Sequence, residues 1–174
     1  QDVCLAGQSI AWPADLVRAD HPLDALGGAG GGGLGAGPGI AVGAALALKH
    51  MGSSHLPVAI VGDGDFLMGC TALWTAAANH IPLLAITANN RAYYNDVLHQ
   101  ERVAVQRGRA VENKFIGQRI DDPPPDLAGI ARAQGFEAAG PITDISELRA
   151  AIEAGVERVR AGAGYLIDVI VTGG

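Results

Sequence analysis

The feature that most constrains the fold is a pair of short, wholly apolar runs, Pro57-Val58-Ala59-Ile60-Val61 and Pro82-Leu83-Leu84-Ala85-Ile86, separated by a stretch of helical length. Runs of this length without polar alternation read as strands covered on both faces, as in a parallel sheet held between helices. Further strand-like runs at 2–6 and 165–171, and a shorter one at 136–139, alternate with longer helical patterns. Alternation of this kind implies βαβ crossovers. The expectation is one α/β domain over residues 1–174, three layers α/β/α, with a mostly parallel six-stranded sheet.

Between the two runs, residues 66–80 have small or apolar side chains on most faces and one polar stripe, Thr71, Thr75 and Asn79. A helix of that composition is expected to be buried all round, either within this domain or under another subunit. Near the end, Asp144 or Ser146 can cap a helix that carries Leu148, Ile152, Val156 and Val159 on one face. The stretch from Arg91 to Pro125 is polar and irregular, and the three prolines after Asp122 forbid helix or central strand there. Residues 105–125 therefore read as a long surface loop, either a lid or partner contact or a plain linker.

Composition narrows the function. A chain of 174 residues, 49% hydrophobic and 17% charged, supports one well-packed domain. A formal charge of −6 without a basic cluster argues against a nucleic-acid surface. Cys4 and Cys70 match neither a zinc set nor a disulfide framework, which suits packed thiols in a reducing cytoplasm. No apolar run is long enough for a membrane span, and no export signal is visible. The chain opens directly on a strand-like run, which suggests that it belongs to something longer.

The strand Val58-Ala59-Ile60-Val61 runs into Gly62-Asp63-Gly64-Asp65 and then a helix from Phe66. Glycines permit a tight turn and close backbone approach, and a helix N-terminus offers free N–H groups to a diphosphate. The next strand delivers Asn89-Asn90 to the same sheet edge one crossover later. Asp63 and Asn90 can thus converge, and a carboxylate with an amide oxygen is a hard ligand pair suited to Mg²⁺ bridging a diphosphate.

Gly62-Asp63-Gly64, 24 residues, then Asn89-Asn90 resembles the motif of thiamine-diphosphate-dependent enzymes, and the whole chain resembles the diphosphate-binding domain of the acetolactate synthase and benzoylformate decarboxylase group. The resemblance implies that Asp63, Asn90 and the main-chain carbonyl of Ala92 hold Mg²⁺. It implies that Gly7-Gln8-Ser9 touch the diphosphate, with Gly62, Gly64, Asp65 and Phe66 around it at the strand–helix junction and Tyr93 beside the cofactor. Gly33-Leu34-Gly35 resembles the segment that bends the cofactor: Leu34 would be the wedge, and the Gly32 carbonyl would accept a hydrogen bond from the aminopyrimidine. The implied activity is cleavage or formation of a carbon–carbon bond next to the carbonyl of a 2-oxo acid.

Two points depart from the family pattern. Asp65 stands where a small residue is common; it either turns away, caps a helix through N–H groups, or binds a metal-ligated water. The glutamate that activates the aminopyrimidine lies, in this family, on a pyrimidine-binding domain or subunit not found in this sequence, so the chain alone is expected to be inactive and to work in a homo- or hetero-oligomer with the cofactor at the interface. The rival readings are a non-catalytic cofactor-binding fragment or small subunit, and a dinucleotide-binding Rossmann domain, since Gly30 to Gly35 satisfies G-x-G-x-x-G. Asp168 reads as a hydrogen-bonded structural acid rather than a functional one. His21, His50, His55, His80 and His99 show no metal-type spacing, and His99 and Tyr94 are the only further candidates near Asn90.

Overall fold

The apolar runs become five parallel strands in a computed structural model that describes residues 2–10, 16, 18–26 and 33–172. They are β1 (Val3–Gln8), β2 (Leu56–Gly62), β3 (Leu83–Asn89), β4 (Glu137–Ile142) and β5 (Gly164–Ile170), in the spatial order β1-β2-β3-β5-β4. The expected sixth strand is absent among the described residues. Residues 24–26, after the turn at His21–Asp24, run beside β1 and contribute an isolated bridge, Leu5 to Ala25.

Chain order and handedness divide the helices between the two faces. The crossovers from β1 through β4 run one way along the sheet and the last, β4 to β5, runs back. A right-handed connection then places its helix on the opposite face. Accordingly α1 (Ala36–His50), α2 (Asp63–Gly69), α3 (Ala72–Ala78) and α5 (Leu127–Ala133) pack Ala41, Phe66, Leu73 and Leu127 against Ala59, Val61, Leu83 and Leu166. On the other face α6 (Ile145–Arg160) lays Leu148, Ile152, Val156 and Val159 over Val58, Leu84 and Ile167. Alternate residues of one strand serve different faces, so a fully apolar strand is what the three layers require. Asp144, not Ser146, caps α6, accepting the N–H of Ser146 at 2.8 Å.

Three sequence expectations change. The helix expected at 66–80 is two helices, starting at Asp63 and broken at Cys70-Thr71. This domain does not bury it all round: Leu73 and Ala76 face the core while Trp74 stays 62% exposed, which excludes the first of the two expected modes of burial. The stretch after Arg91 is not irregular throughout, since Tyr94–Gln106 form a helix, α4, which buries only Val97. Its single anchor explains why no apolar stripe marked it.

Candidate functional site

The C-terminal ends of β1, β2 and β3 meet the N-terminus of α1 at one edge of the sheet, and the motif residues lie there. β1 carries a register shift between Leu5 and Gly7, so Gly7 turns toward α1, where a Cβ would stand 3.0 Å from the Ala41 Cβ. Its missing side chain is accounted for by packing. Ser9 Oγ accepts the N–H of Gly62 at 2.9 Å, tying the end of β1 to the turn that opens α2.

Asp63 begins α2 and is 3% exposed. One carboxylate oxygen, Oδ1, accepts the N–H of Gly64 at 2.9 Å, while Oδ2 is buried without a partner. Burial pushes its pKa up, and the backbone N–H groups of Gly64, Arg91 and Ala92 pull it partly back. Those last two groups belong to the turn after β3, so the carboxylate and the Asn90–Ala92 segment face each other. Gly64 must lack a side chain because its Cβ would stand 2.3 Å from the Tyr93 ring.

The turn after β3 is built from two asparagines in succession. Asn89 Oδ1 accepts the N–H of Arg91 at 3.2 Å and Asn90 Oδ1 that of Ala92 at 3.0 Å, each side chain bonding the backbone two residues on. Arg91 takes a left-handed conformation, φ 58°. Beneath them Asp168 on β5 accepts from Asn89 Nδ2 at 3.1 Å and Thr87 Oγ1 at 3.1 Å. Burial raises the Asp168 pKa, and these two hydrogen bonds oppose the rise. It is the structural acid expected, and it orients the first asparagine. Thr87 was not singled out in the sequence, and Asn89 only as the first member of the Asn89-Asn90 pair; the adjacency of β3 and β5 reveals their contact with Asp168.

Asp65 turns away from the Asp63 pocket. Its Oδ1 accepts the N–H of Gly35 at 2.6 Å and of Gly37 at 3.3 Å, so it caps α1 rather than its own helix. Close approach makes this possible: a Cβ on Gly69 would stand 2.4 Å from the Gly35 carbonyl oxygen, and one on Gly37 would overlap the Asp65 carboxylate. Asp65 thereby anchors the Gly33–Leu34 segment beside α2, with the Leu34 side chain 50% exposed. Gly32 lies outside the described residues. Phe66 has its ring wholly in the core, leaving only its main chain toward the edge. His99 is exposed on α4.

The segment 105–125 is pinned rather than free. Tyr93 N–H donates to Gln118 O at 2.9 Å and Ile120 N–H to Arg91 O at 2.8 Å, with Ala92 opposite Arg119. In such a ladder Ala92 is the non-hydrogen-bonded member, so its carbonyl points away from residues 118–120. A cleft of about 460 Å³ opens beside this turn, bounded by Asn90, Arg91, Tyr94, Phe115 and Arg119.

The sequence profile described as thiamine pyrophosphate enzyme, C-terminal TPP binding domain, matches residues 6–169. The chain belongs to this family. A thiamin diphosphate-dependent enzyme of Mycobacterium smegmatis is 27% identical, with a TM-score of 0.65, over 87% of this chain and 24% of its own. The 4-hydroxybenzoylformate decarboxylase of Rhodococcus jostii RHA1 is 24% identical, with a TM-score of 0.74, over 99% of this chain and 30% of its own. Benzoylformate decarboxylase from Polynucleobacter necessarius is 22% identical, with a TM-score of 0.71, over 92% of this chain and 28% of its own. The last two likenesses establish the shared fold. This thiamine pyrophosphate-binding chain thus spans roughly a quarter to a third of the length of each solved chain. Membership also disposes of the dinucleotide reading: the glycine-rich segment does not follow β1 directly, as a Rossmann fingerprint does. No helix among the described residues is long and apolar enough to cross a membrane.

Proposed function

We propose that this chain holds the diphosphate of thiamine diphosphate through Mg²⁺, as one domain of an enzyme that decarboxylates or carboligates a 2-oxo acid. The observation that carries the reading is the Asp63 carboxylate, whose Oδ2 is buried without a partner and which faces the Asn90–Ala92 turn; Asp65 Oδ2 is also unpartnered, but that carboxylate sits on the N–H groups of α1. A desolvated, unpaired carboxylate is costly unless a cation joins it. The Asn90 side chain and the Ala92 carbonyl lie on the turn whose N–H groups face Asp63. Three oxygens of this kind suit Mg²⁺, which keeps phosphate and water in its remaining positions. The donor set fits the ion.

In this reading Ser9, Gly62 and Gly64 line the diphosphate, Tyr93 packs over Gly64 to close that side, and Leu34 presents an apolar wedge held in place by Asp65. Bound thiamine diphosphate supplies the electron sink for bond cleavage next to the carbonyl. The residues of this chain bind, orient and keep water away. The activating carboxylate comes from a pyrimidine-binding domain or partner subunit, and the cofactor lies at that junction. Exposed Leu46, Met68 and Trp74, together with Leu34, are all carried by or next to α1, α2 and α3, which suits a covered face.

Titration with Mn²⁺, followed by the paramagnetic signal of the free ion in the presence of thiamine diphosphate, tests the metal assignment without requiring turnover. Asp63→Ala and Asn90→Ala are expected to abolish cofactor-dependent Mn²⁺ uptake. Undiminished uptake in both variants would refute it.

A further inference from the structure

We propose that His21, Asp24 and His55 bind a borderline divalent cation of the Zn²⁺ type, at the end of the sheet opposite the Asp63–Asn90 edge. His21 and Asp24 share one turn while His55 is remote in sequence, and β1 brings the two segments together. Asp24 O accepts the N–H of Leu5 at 2.8 Å, while His55 directly precedes Leu56, which pairs with Val3. From His55 to Gly62 the chain runs the length of β2, roughly 20 Å at about 3.3 Å per residue. The cluster is therefore separate from the diphosphate edge.

One donor atom from each side chain lies within 4.8 Å of the other two. His55 Nε2 stands 3.7 Å from Asp24 Oδ1. That separation is long for a hydrogen bond and close to the edge of a tetrahedron with arms of about 2.0 Å, roughly 3.3 Å. The His21 and His55 rings stack with centroids 5.5 Å apart and planes 29° apart. Binding would draw the three donor atoms closer together.

Asp24 and His55 are held from behind, as metal-site ligands commonly are. Asp24 Oδ2 accepts the N–H groups of Asp20 at 2.9 Å and His21 at 2.8 Å, leaving Oδ1 for the site. His55 Nδ1 lies 2.9 Å from Ser53 Oγ, which also accepts the His55 N–H at 3.3 Å. A hydroxyl has a second lone pair, so Nδ1–H can donate to it and leave the Nε2 lone pair for the ion. His21 Nδ1 accepts the Leu23 N–H at 3.1 Å, an exposed bond that ligation through either nitrogen exchanges for a metal bond. Two imidazole nitrogens and one carboxylate oxygen select Zn²⁺ and its neighbours over Mg²⁺, with water as fourth ligand. The ion would clip the segment after β1 to the start of β2.

Calorimetric titration of the metal-free chain with ZnCl₂, in excess MgCl₂, tests this. The expected result is one Zn²⁺ per chain, weakened at least about tenfold in His21→Gln and in His55→Gln and unchanged in Asp63→Asn. Co²⁺ in place of Zn²⁺ should show the visible absorption of a tetrahedral site, lost in the same two variants. His21 is exposed, so its variant decides the matter even if His55→Gln does not fold. Absence of stoichiometric Zn²⁺, equal affinity in His21→Gln, or loss of binding in Asp63→Asn alone would overturn the assignment.

Discussion

At the residue scale, Asp63 and Gly64 are constrained in opposite ways. The folded chain raises the Asp63 pKa by burial, so the native state favours the protonated form and the ionised carboxylate costs stability. Stability from this group is present at low pH and is lost as pH rises from the ordinary value of 3.8 through the raised one. In chelator, Asp63→Asn is therefore expected to melt at or above the wild-type temperature at neutral pH, the gap widening as pH climbs through that window; a variant that melts well below wild type at every pH would contradict it. Gly64→Ala places a Cβ against the Tyr93 ring and should cost about 1–3 kcal/mol in urea denaturation. Much of that loss should return when Tyr93 is also shortened to Leu, because the two changes share one contact. Leu34, half exposed, behaves differently: Leu34→Ala is expected to shift stability by less than about 0.5 kcal/mol while lowering turnover of the assembled enzyme.

At the scale of elements, the site depends on how α1 and α2 meet. α1 has no side-chain cap of its own, and its N-cap is Gly35 in a left-handed conformation, φ 88°. Asp65 supplies the missing acceptor from thirty residues away. Asp65→Ala should cost about 1–2 kcal/mol, as loss of an N-cap does, and hydrogen exchange should accelerate at the Gly35 and Gly37 amides first. A uniform acceleration across the sheet would instead mean global destabilisation. α5 offers an internal control: Asp126 caps it by accepting the Gly129 N–H at 2.7 Å, and Asp126→Ala should cost about 1 kcal/mol without moving the Gly35 amide.

For the whole molecule, exposed apolar side chains occur in several places, Ile116 and Ile145 among them, and four of them, Leu34, Leu46, Met68 and Trp74, lie on or next to α1, α2 and α3 beside the edge that carries Asp63. Exposed apolar side chains gathered on one face would mark a surface that another chain or domain covers. Sedimentation of the chain with the proposed pyrimidine-binding partner should show an assembly that Trp74→Glu weakens while leaving the melting temperature within a few degrees. Equal assembly in that variant would place the interface elsewhere. Saturating Mg²⁺ and thiamine diphosphate should stabilise the assembly, by about 2.7 kcal/mol at a hundredfold excess over Kd.

Strands β2 and β3 were legible in the sequence because residues buried on both sheet faces leave an uninterrupted apolar run, whereas β4, which has no fully buried residue, showed only as a short run at 136–139; Gly62-Asp63-Gly64 with Asn89-Asn90 was legible because a parallel sheet delivers successive strand ends to one edge. The helix α4 was not, since it buries a single side chain and leaves no periodic stripe. Nor could sequence choose among the three roles open to Asp65, because its partners Gly35 and Gly37 come near only when glycines let two helices touch. The same holds for Asp168 beneath Asn89 and for His21, Asp24 and His55. Local pattern determined most of the strands and which turns carry the motif residues; only the tertiary structure decided which side chains meet, because most of those contacts join residues tens of positions apart.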